Sequence, residues 1–308
     1  MLRAFFISLS ESPSLRHVAE RSSLGQRISS RFVAGTQVED ALRATGIVNQ
    51  SGLSVSVDNL GENVTNADEA RASAALYHQM LDSIASQHLD ANISLKLTHM
   101  GLDVDEKLAR DLVSGLVAKA AGMNPRNFVR VDMEGSPYTS RTLDFVHELH
   151  RVPSNKGCVG AVIQSYMRRS QSDVEKLLAE GIRIRLCKGA YKEPPDIAFQ
   201  EKSEVDANYV RLMKVLLKSG VYHGLATHDE KMIRAAITFA EQESIPRDSF
   251  EFQMLYGIRR DLQQELVRQG WRMRVYIPFG SEWYPYLMRR LAERPANALF
   301  IAKNLFRE

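Results

Sequence analysis

The chain has 308 residues, 44% apolar and 25% charged, with 40 basic against 37 acidic side chains and a net charge of +3. That size and composition suit a globular protein with a sizeable core, and so even a charge balance, without a Lys/Arg run, argues against nucleic acid as a partner. No apolar stretch approaches the ~18 residues of a membrane span. The only cysteines, Cys158 and Cys187, lack metal-ligand spacing and read as thiols buried in strands, in a reducing compartment.

The start, from Met1 to Ser8, has one positive charge and too short an apolar run for a secretory signal, with Glu11, Glu20 and Arg21 following. It reads as the first turns of a helical segment over 1–30, which places the protein in the cytoplasm. Phe32-Val33-Ala34-Gly35 is either a ninth short strand or an extended linker. From there β-branched runs alternate with helical patterns. Strands are expected over Leu53–Val57, Ile93–Leu97, Phe128–Asp132, Val159–Gln164, Ile182–Cys187, Gly224–Thr227, Phe250–Met254 and Met273–Ile277. Helices are expected over Ala67–Gln87, Lys107–Ala121, Thr142–His150, Val174–Leu178, Val205–Leu217, Lys231–Glu243 and Arg260–Arg268, with a last one from about Trp283 to Phe306. Strand–helix alternation of this length implies an α/β fold, a parallel sheet closed into a (β/α)₈ barrel. The rival, an open doubly wound sheet, lacks its G-x-G-x-x-G turn. No linker divides the chain, so 1–308 reads as one domain, with the barrel over 31–308.

In such a barrel function collects where strands end. Those ends carry Asp58 and Glu62, Lys96 and Thr98, Asp132 and Glu134, Gln164 and Tyr166, Arg185 and Lys188, Thr227 and His228, Gln253, and Tyr276. Each alone fits a loop-edge residue or a helix cap. Together they argue for a polar ligand at the barrel mouth, because a charge within an apolar strand must be paired or face a wet cavity. His147 and His150 could meet on one helix face but have no completing ligands, so they read as solvated surface, as do His78, His88 and His223; His17 lies in the N-terminal segment. No metal is expected, and no hydrolase motif is present.

On the last helix Tyr286, Arg289, Arg290 and Glu293 share one face. An exposed salt-bridging face would explain Arg290 and Glu293. The helix starts at the catalytic end of the barrel, however, and two adjacent guanidinium groups there form a fork suited to a carboxylate. A small carboxylate substrate is therefore expected.

Several stretches carry a family resemblance: Ile93-Ser-Leu-Lys-Leu-Thr, Phe128-Val-Arg-Val-Asp-Met-Glu, Val162-Ile-Gln-Ser-Tyr, Arg185-Leu-Cys-Lys-Gly-Ala-Tyr, Ala226-Thr-His-Asp, Phe250-Glu-Phe-Gln-Met-Leu-Tyr-Gly and Trp283-Tyr-Pro-Tyr-Leu-Met-Arg-Arg-Leu-Ala-Glu-Arg-Pro. In this order they resemble the proline dehydrogenases, especially the monofunctional bacterial kind, from about Phe32 to the C-terminus. The resemblance implies a distorted barrel with N-terminal helices, a final helix over the mouth, and FAD bound non-covalently. It implies oxidation of L-proline to Δ1-pyrroline-5-carboxylate by hydride transfer from C5 to flavin N5, the first step of proline catabolism. Electrons pass to membrane quinone, which implies a peripheral position at the inner face of the membrane, and a pyrroline-5-carboxylate dehydrogenase acts downstream.

By position, Arg289 and Arg290 match the carboxylate clamp, and Lys96, Leu255, Tyr276 and Tyr286 the substrate pocket. Asp132 lies between substrate and flavin in this scheme, and Glu62 matches a gate that pairs with Arg289. Val162, Gln164, Arg185, Lys188, Gly189, Ala190, Tyr191, Thr227, His228, Gln253, Arg290 and Glu293 match flavin contacts. Arg185 is the cation expected near N5, and Lys96 and Asp132 are expected to pair. Cys187 and Gly135 depart from the family pattern away from the chemistry. The rivals are a hydroxyproline dehydrogenase, which Tyr276 would crowd, and a Schiff-base aldolase using Lys96 or Lys188. A proline-responsive DNA-binding module lacks a helix-turn-helix and a basic face here.

Overall fold

The computed structural model describes residues 29–293, together with His17, Ser22 and Gly25; for 289–293 it describes the backbone alone. The segment expected to be helical before Ser29, and the last helix beyond Glu293, lie outside the described residues. Helix α1 (Val38–Gln50) leads into β1 (Ser54–Asn59), α2 (Ala67–Ser86), β2 (Ala91–Leu95), α3 (Glu106–Gly122), β3 (Val129–Val131) and α4 (Ser136–Arg151). Then follow β4 (Val159–Gln164), α5 (Ser170–Ala179), β5 (Arg183–Cys187), α6 (Lys202–Lys218), β6 (His223–Ala226), α7 (Glu230–Gln242), β7 (Phe250–Leu255), α8 (Arg260–Arg268), β8 (Arg272–Phe279) and α9 (Trp283–Glu293). The strands form a closed barrel in sequence order, and β1 closes it by pairing in parallel with β8, Ser56 opposite Tyr276.

The strands read polar and apolar by turns, as in Ser54-Val55-Ser56-Val57-Asp58 and Phe250-Glu251-Phe252-Gln253. Ser56, Ser94 and Gln253 meet Arg185 across the barrel, so this parity points inward. The opposite parity faces the helices: Val55, Val57, Ile93, Leu95, Val129, Val131, Phe252 and Ile277 are buried with Tyr77, Met80, Leu116 and Leu212 of the surrounding helices in one core cluster. Barrels of this kind usually fill their interior with branched apolar residues. Here the interior is polar and held by hydrogen bonds.

Local signals account for the helix starts. Asn66 and Asp105 cap α2 and α3 by accepting from backbone N–H groups of the first turn. Helix α4 begins at Ser136, earlier than the expected Thr142, since Pro137 suits a first turn; Glu193 accepts from Ser136 N at 2.7 Å and Ser136 Oγ at 2.6 Å in place of an N-cap side chain. Helix α1 is an addition to the expected elements. Phe32–Gly35 is the linker rather than a ninth strand: Ala34 N donates to Pro278 O at 2.9 Å and Gly280 N to Gly35 O at 3.0 Å, which seats it on the end of β8. Cys158 lies just before β4, and Cys187 ends β5.

Candidate active site

The C-terminal ends of β1, β2, β3, β5 and β8 bring charged groups together at the mouth. Lys96 follows β2, its ammonium 3.7 Å from Asp58 Oδ2 and 3.9 Å from Glu62 Oε1. The expected Lys96–Asp132 pair is not formed, because Asp132 is committed elsewhere. Burial works against the Lys96 ammonium, but Asp58, Glu62, Asp132 and Glu134 outweigh it and raise its pKa. Asp58 is 1% exposed, and its Oδ2 has no hydrogen-bond donor. Burial, opposed by Lys96 and assisted by Asp132, pushes the Asp58 carboxyl up to about 6.

Asp132 Oδ1 accepts from Arg185 Nη1 at 2.6 Å and Ser94 Oγ at 2.8 Å, and Oδ2 accepts from the Tyr276 hydroxyl at 2.9 Å. The Arg185 guanidinium lies over the Tyr276 ring at 5.1 Å. It also donates from Nε to Gln253 Oε1 at 2.6 Å, from Nη1 to Ser94 Oγ at 3.0 Å and from Nη2 to Ser56 Oγ at 3.1 Å. A cation so surrounded is fixed in place. Burial, then Asp132 and Asp58, keep the Tyr276 hydroxyl well above its usual range, so it remains a donor.

The other expected residues spread around the same rim. Gln164 ends β4 and donates to Glu134 O at 3.0 Å, while Glu134 accepts from Thr98 N at 3.2 Å and Thr98 Oγ1 at 2.6 Å. Val162 is buried one inward position below Gln164. Lys188, just past β5, is held by Asp206 at 2.5 Å and Asp229 at 2.7 Å, and Lys202 binds the same two carboxylates. Gly189 has φ of 106° and lies flat on Tyr166: a Cβ there would stand 2.2 Å from the ring, so no side chain fits. Ala190 and Tyr191 continue that loop, with Tyr191 38% exposed.

Thr227 is buried, its hydroxyl accepting from Asp229 N at 3.1 Å, and His228 Nε2 accepts from Leu255 N at 2.9 Å, which assigns the imidazole proton to Nδ1 when neutral. Leu255 is thereby tied to the β6–α7 turn.

Tyr286 on α9 is buried in a cluster with Val33, Leu60, Trp283, Tyr284 and Leu287. Leu60 directly follows β1, so α9 lies at the mouth end of the barrel. Arg289, Arg290 and Glu293 stand on α9, with side chains outside the described residues. Glu62 faces Lys96; its expected pairing with Arg289 falls there too.

Three histidines depart from the solvated reading. His223 is fully buried between Ile184 N and Ser219 Oγ, and burial lowers its pKa to about 3. His147 Nδ1 lies 2.9 Å from Glu180 Oε1, and buried His150 bonds Glu180 O at 3.0 Å. Packing against neighbouring strands and helices took these rings from solvent. Among the described residues no cluster could hold a metal. Sequence reasoning left out His99, buried beside Gly61 and bonded to Ser73 Oγ at 2.8 Å, and the inward-facing Ser56, Ser94, Glu251 and Arg274. The period-two polar pattern was the signal for the last four.

A family model for proline dehydrogenase matches residues 41–303. The chain is 38% identical over 309 residues to proline dehydrogenase 1 of Bacillus subtilis subsp. natto, covering 100% of both. It is 34% identical over 312 residues to the proline dehydrogenase of Deinococcus radiodurans, covering 100% of this chain and 98% of that protein. Among solved structures it resembles proline utilization A from Bdellovibrio bacteriovorus, inactivated by N-propargylglycine, with TM-score 0.79 and 27% identity over 87% of this chain. The chain spans 32% of that longer chain.

Proposed function

The chain belongs to the proline dehydrogenase family, and from that premise we propose that it oxidises L-proline to Δ1-pyrroline-5-carboxylate, with FAD as acceptor and membrane quinone receiving the electrons. The observation that carries the reading is the buried Arg185 guanidinium, fixed 2.6 Å from Asp132 beside Tyr276 at the barrel mouth. The donor set fits FAD: Arg185 is a held cation for the charge that arrives with the electrons, and Lys188, just past β5 on the same rim, is a second cation suited to a phosphate. Lys188 would exchange carboxylates for phosphate, and Lys202 stands ready on Asp206 and Asp229 to replace it. Val162, Gln164, Gly189, Ala190, Tyr191, Thr227, His228, Gln253, Arg290 and Glu293 complete the proposed cofactor site.

FAD, when bound, supplies the two-electron acceptor for the hydride leaving C5. The chain supplies the rest. Arg289 and Arg290 clamp the substrate carboxylate, and Lys96, Leu255, Tyr276 and Tyr286 wall the ring. The amine must be neutral before hydride leaves, and Asp58 Oδ2, lacking a donor and titrating near 6, is the atom placed to hold a proton. Glu62 gates the pocket over Lys96. A membrane quinone as acceptor argues for a peripheral position at the membrane; among the described residues no helix is long and apolar enough to cross it. The test is product trapping. Holoenzyme with L-proline and a soluble quinone should yield a cyclic imine captured by o-aminobenzaldehyde; absence of that adduct with a folded, flavin-loaded protein overturns the reading.

A further inference from the structure

Below the mouth, Arg274, Glu251 and Tyr222 form a polar group that the proposed chemistry does not use, and Gln253 joins it to Arg185. Arg274 donates from Nε to Glu251 Oε1 at 2.7 Å and from Nη1 to Val55 O at 2.6 Å. Tyr222 donates to Glu251 Oε2 at 2.9 Å, and Gln253 Nε2 donates to Glu251 Oε1 at 2.6 Å. The other end of that amide, Gln253 Oε1, accepts from Arg185 Nε at 2.6 Å. Glu251 and Gln253 are both 4% exposed. Burial pushes the Glu251 carboxyl up, but Arg274 and the hydrogen bonds from Arg274, Gln253 and Tyr222 outweigh it and hold it below the usual carboxylate range.

An ionised carboxylate only accepts, and an amide donates at one end and accepts at the other. Glu251 therefore dictates which way Gln253 points. With Nε2 turned to Glu251, Oε1 must face Arg185. The flipped amide would set oxygen against oxygen at one end and N–H against N–H at the other. Gly224 provides the room, since a Cβ there would lie 2.3 Å from Gln253 Nε2. Gln253, expected as a flavin contact, thus has both ends engaged beneath the mouth.

We infer that Glu251 is a positioning residue for Arg185, acting through the Gln253 amide, so that Arg274, Glu251 and Gln253 carry orientation from inside the barrel to the cation at its mouth. This rests on the reading that Arg185 serves the flavin. A plain barrel plug would lower stability when cut; a positioning relay also changes how Arg185 is held.

Gln253→Met removes both ends of the amide at similar volume. The double exchange Glu251→Gln with Gln253→Glu keeps the net charge and restores the donor–acceptor pairs of residue 253 with residue 251 and with Arg185, though the Arg274 Nε bond to residue 251 is lost, with the carboxylate one step nearer Arg185. The loss of a charge-assisted hydrogen bond at a fixed cation predicts about a tenfold fall in kcat for Gln253→Met, with KM for proline changed less than about twofold. The bound flavin's midpoint potential should shift negative in the same variant. The double exchange should recover kcat to within about threefold of the parent. In flavin-free protein the Arg185 Nε–H resonance, assigned by its loss in Arg185→Met, should be sharp in the parent and the double exchange and broadened in Gln253→Met.

An unchanged resonance in Gln253→Met, with melting temperature confirming the fold, overturns the relay. So does a double exchange whose Arg185 resonance in folded, flavin-free protein stays as broad as that of Gln253→Met. Arg185→Met with unchanged kcat and potential would instead remove the proposed role of Arg185, while the flavin-free resonance still decides the relay.

Discussion

Replacing Asp58 by Asn removes a buried charge while keeping the side chain's shape. The carboxyl titrates near 6 in the fold against a usual 3.8, a rise of about two pKa units. At ~1.4 kcal/mol per unit this is about 3 kcal/mol. The folded pKa is raised, so the stabilisation is fully present below about pH 4 and lost as pH rises through about 6. The Lys96 attraction is already inside the shift, because it is one of its causes. Asp58→Asn has no such loss. It should match the parent near pH 4 and be more stable by about 3 kcal/mol at pH 8, a gain of roughly 5 °C in melting temperature for a chain this long. The assay is a melting series from pH 4 to 8 at fixed flavin occupancy. A difference independent of pH, or a variant less stable than the parent at pH 8, would refute the assignment of a strained Asp58 charge.

Other expectations follow from separate parts of the molecule. Arg290→Met should abolish useful proline turnover while FAD stays bound; unchanged steady-state kinetics would remove the clamp. Gly61→Ala would place a Cβ 2.3 Å from His99 Nε2, a ring already bonded to Ser73, and overpacking there should cost about 1–3 kcal/mol in urea titration. Because Glu62 is the next residue, KM for proline should rise as well. Glu193→Ala strips two acceptors from Ser136 at the start of α4; it should cost about 1–2 kcal/mol, and hydrogen exchange should quicken in the first turn of α4.

The barrel was readable because strand and helix periods alternate along the chain, and all eight strands overlap the short apolar runs where they were expected. Helix α1 was missed although Val38, Ala41, Leu42 and Thr45 recur at helical spacing and are buried, because it follows directly on the ambiguous Phe32–Gly35 run. Strand ends were polar enough to locate the mouth, yet the choice of partner was not in the sequence. Lys96 faces Asp58 and Glu62 rather than Asp132, because Asp132 points to Arg185 across the barrel, a pairing set by register and closure. His150 and His223 were misplaced for a related reason: a ring on a helix or strand reads as solvated until its neighbour in space is known. The polar interior was written in the strands as alternation. What alternation leaves open is which of its two faces meets the helices, and here the apolar face does.

A flavin reduced by proline is the most direct consequence of the proposed chemistry. Purified protein should be yellow with a flavin absorption spectrum, and anaerobic L-proline should bleach it. Colourless protein that takes up no added FAD, or a flavin spectrum that L-proline leaves unchanged, would contradict it.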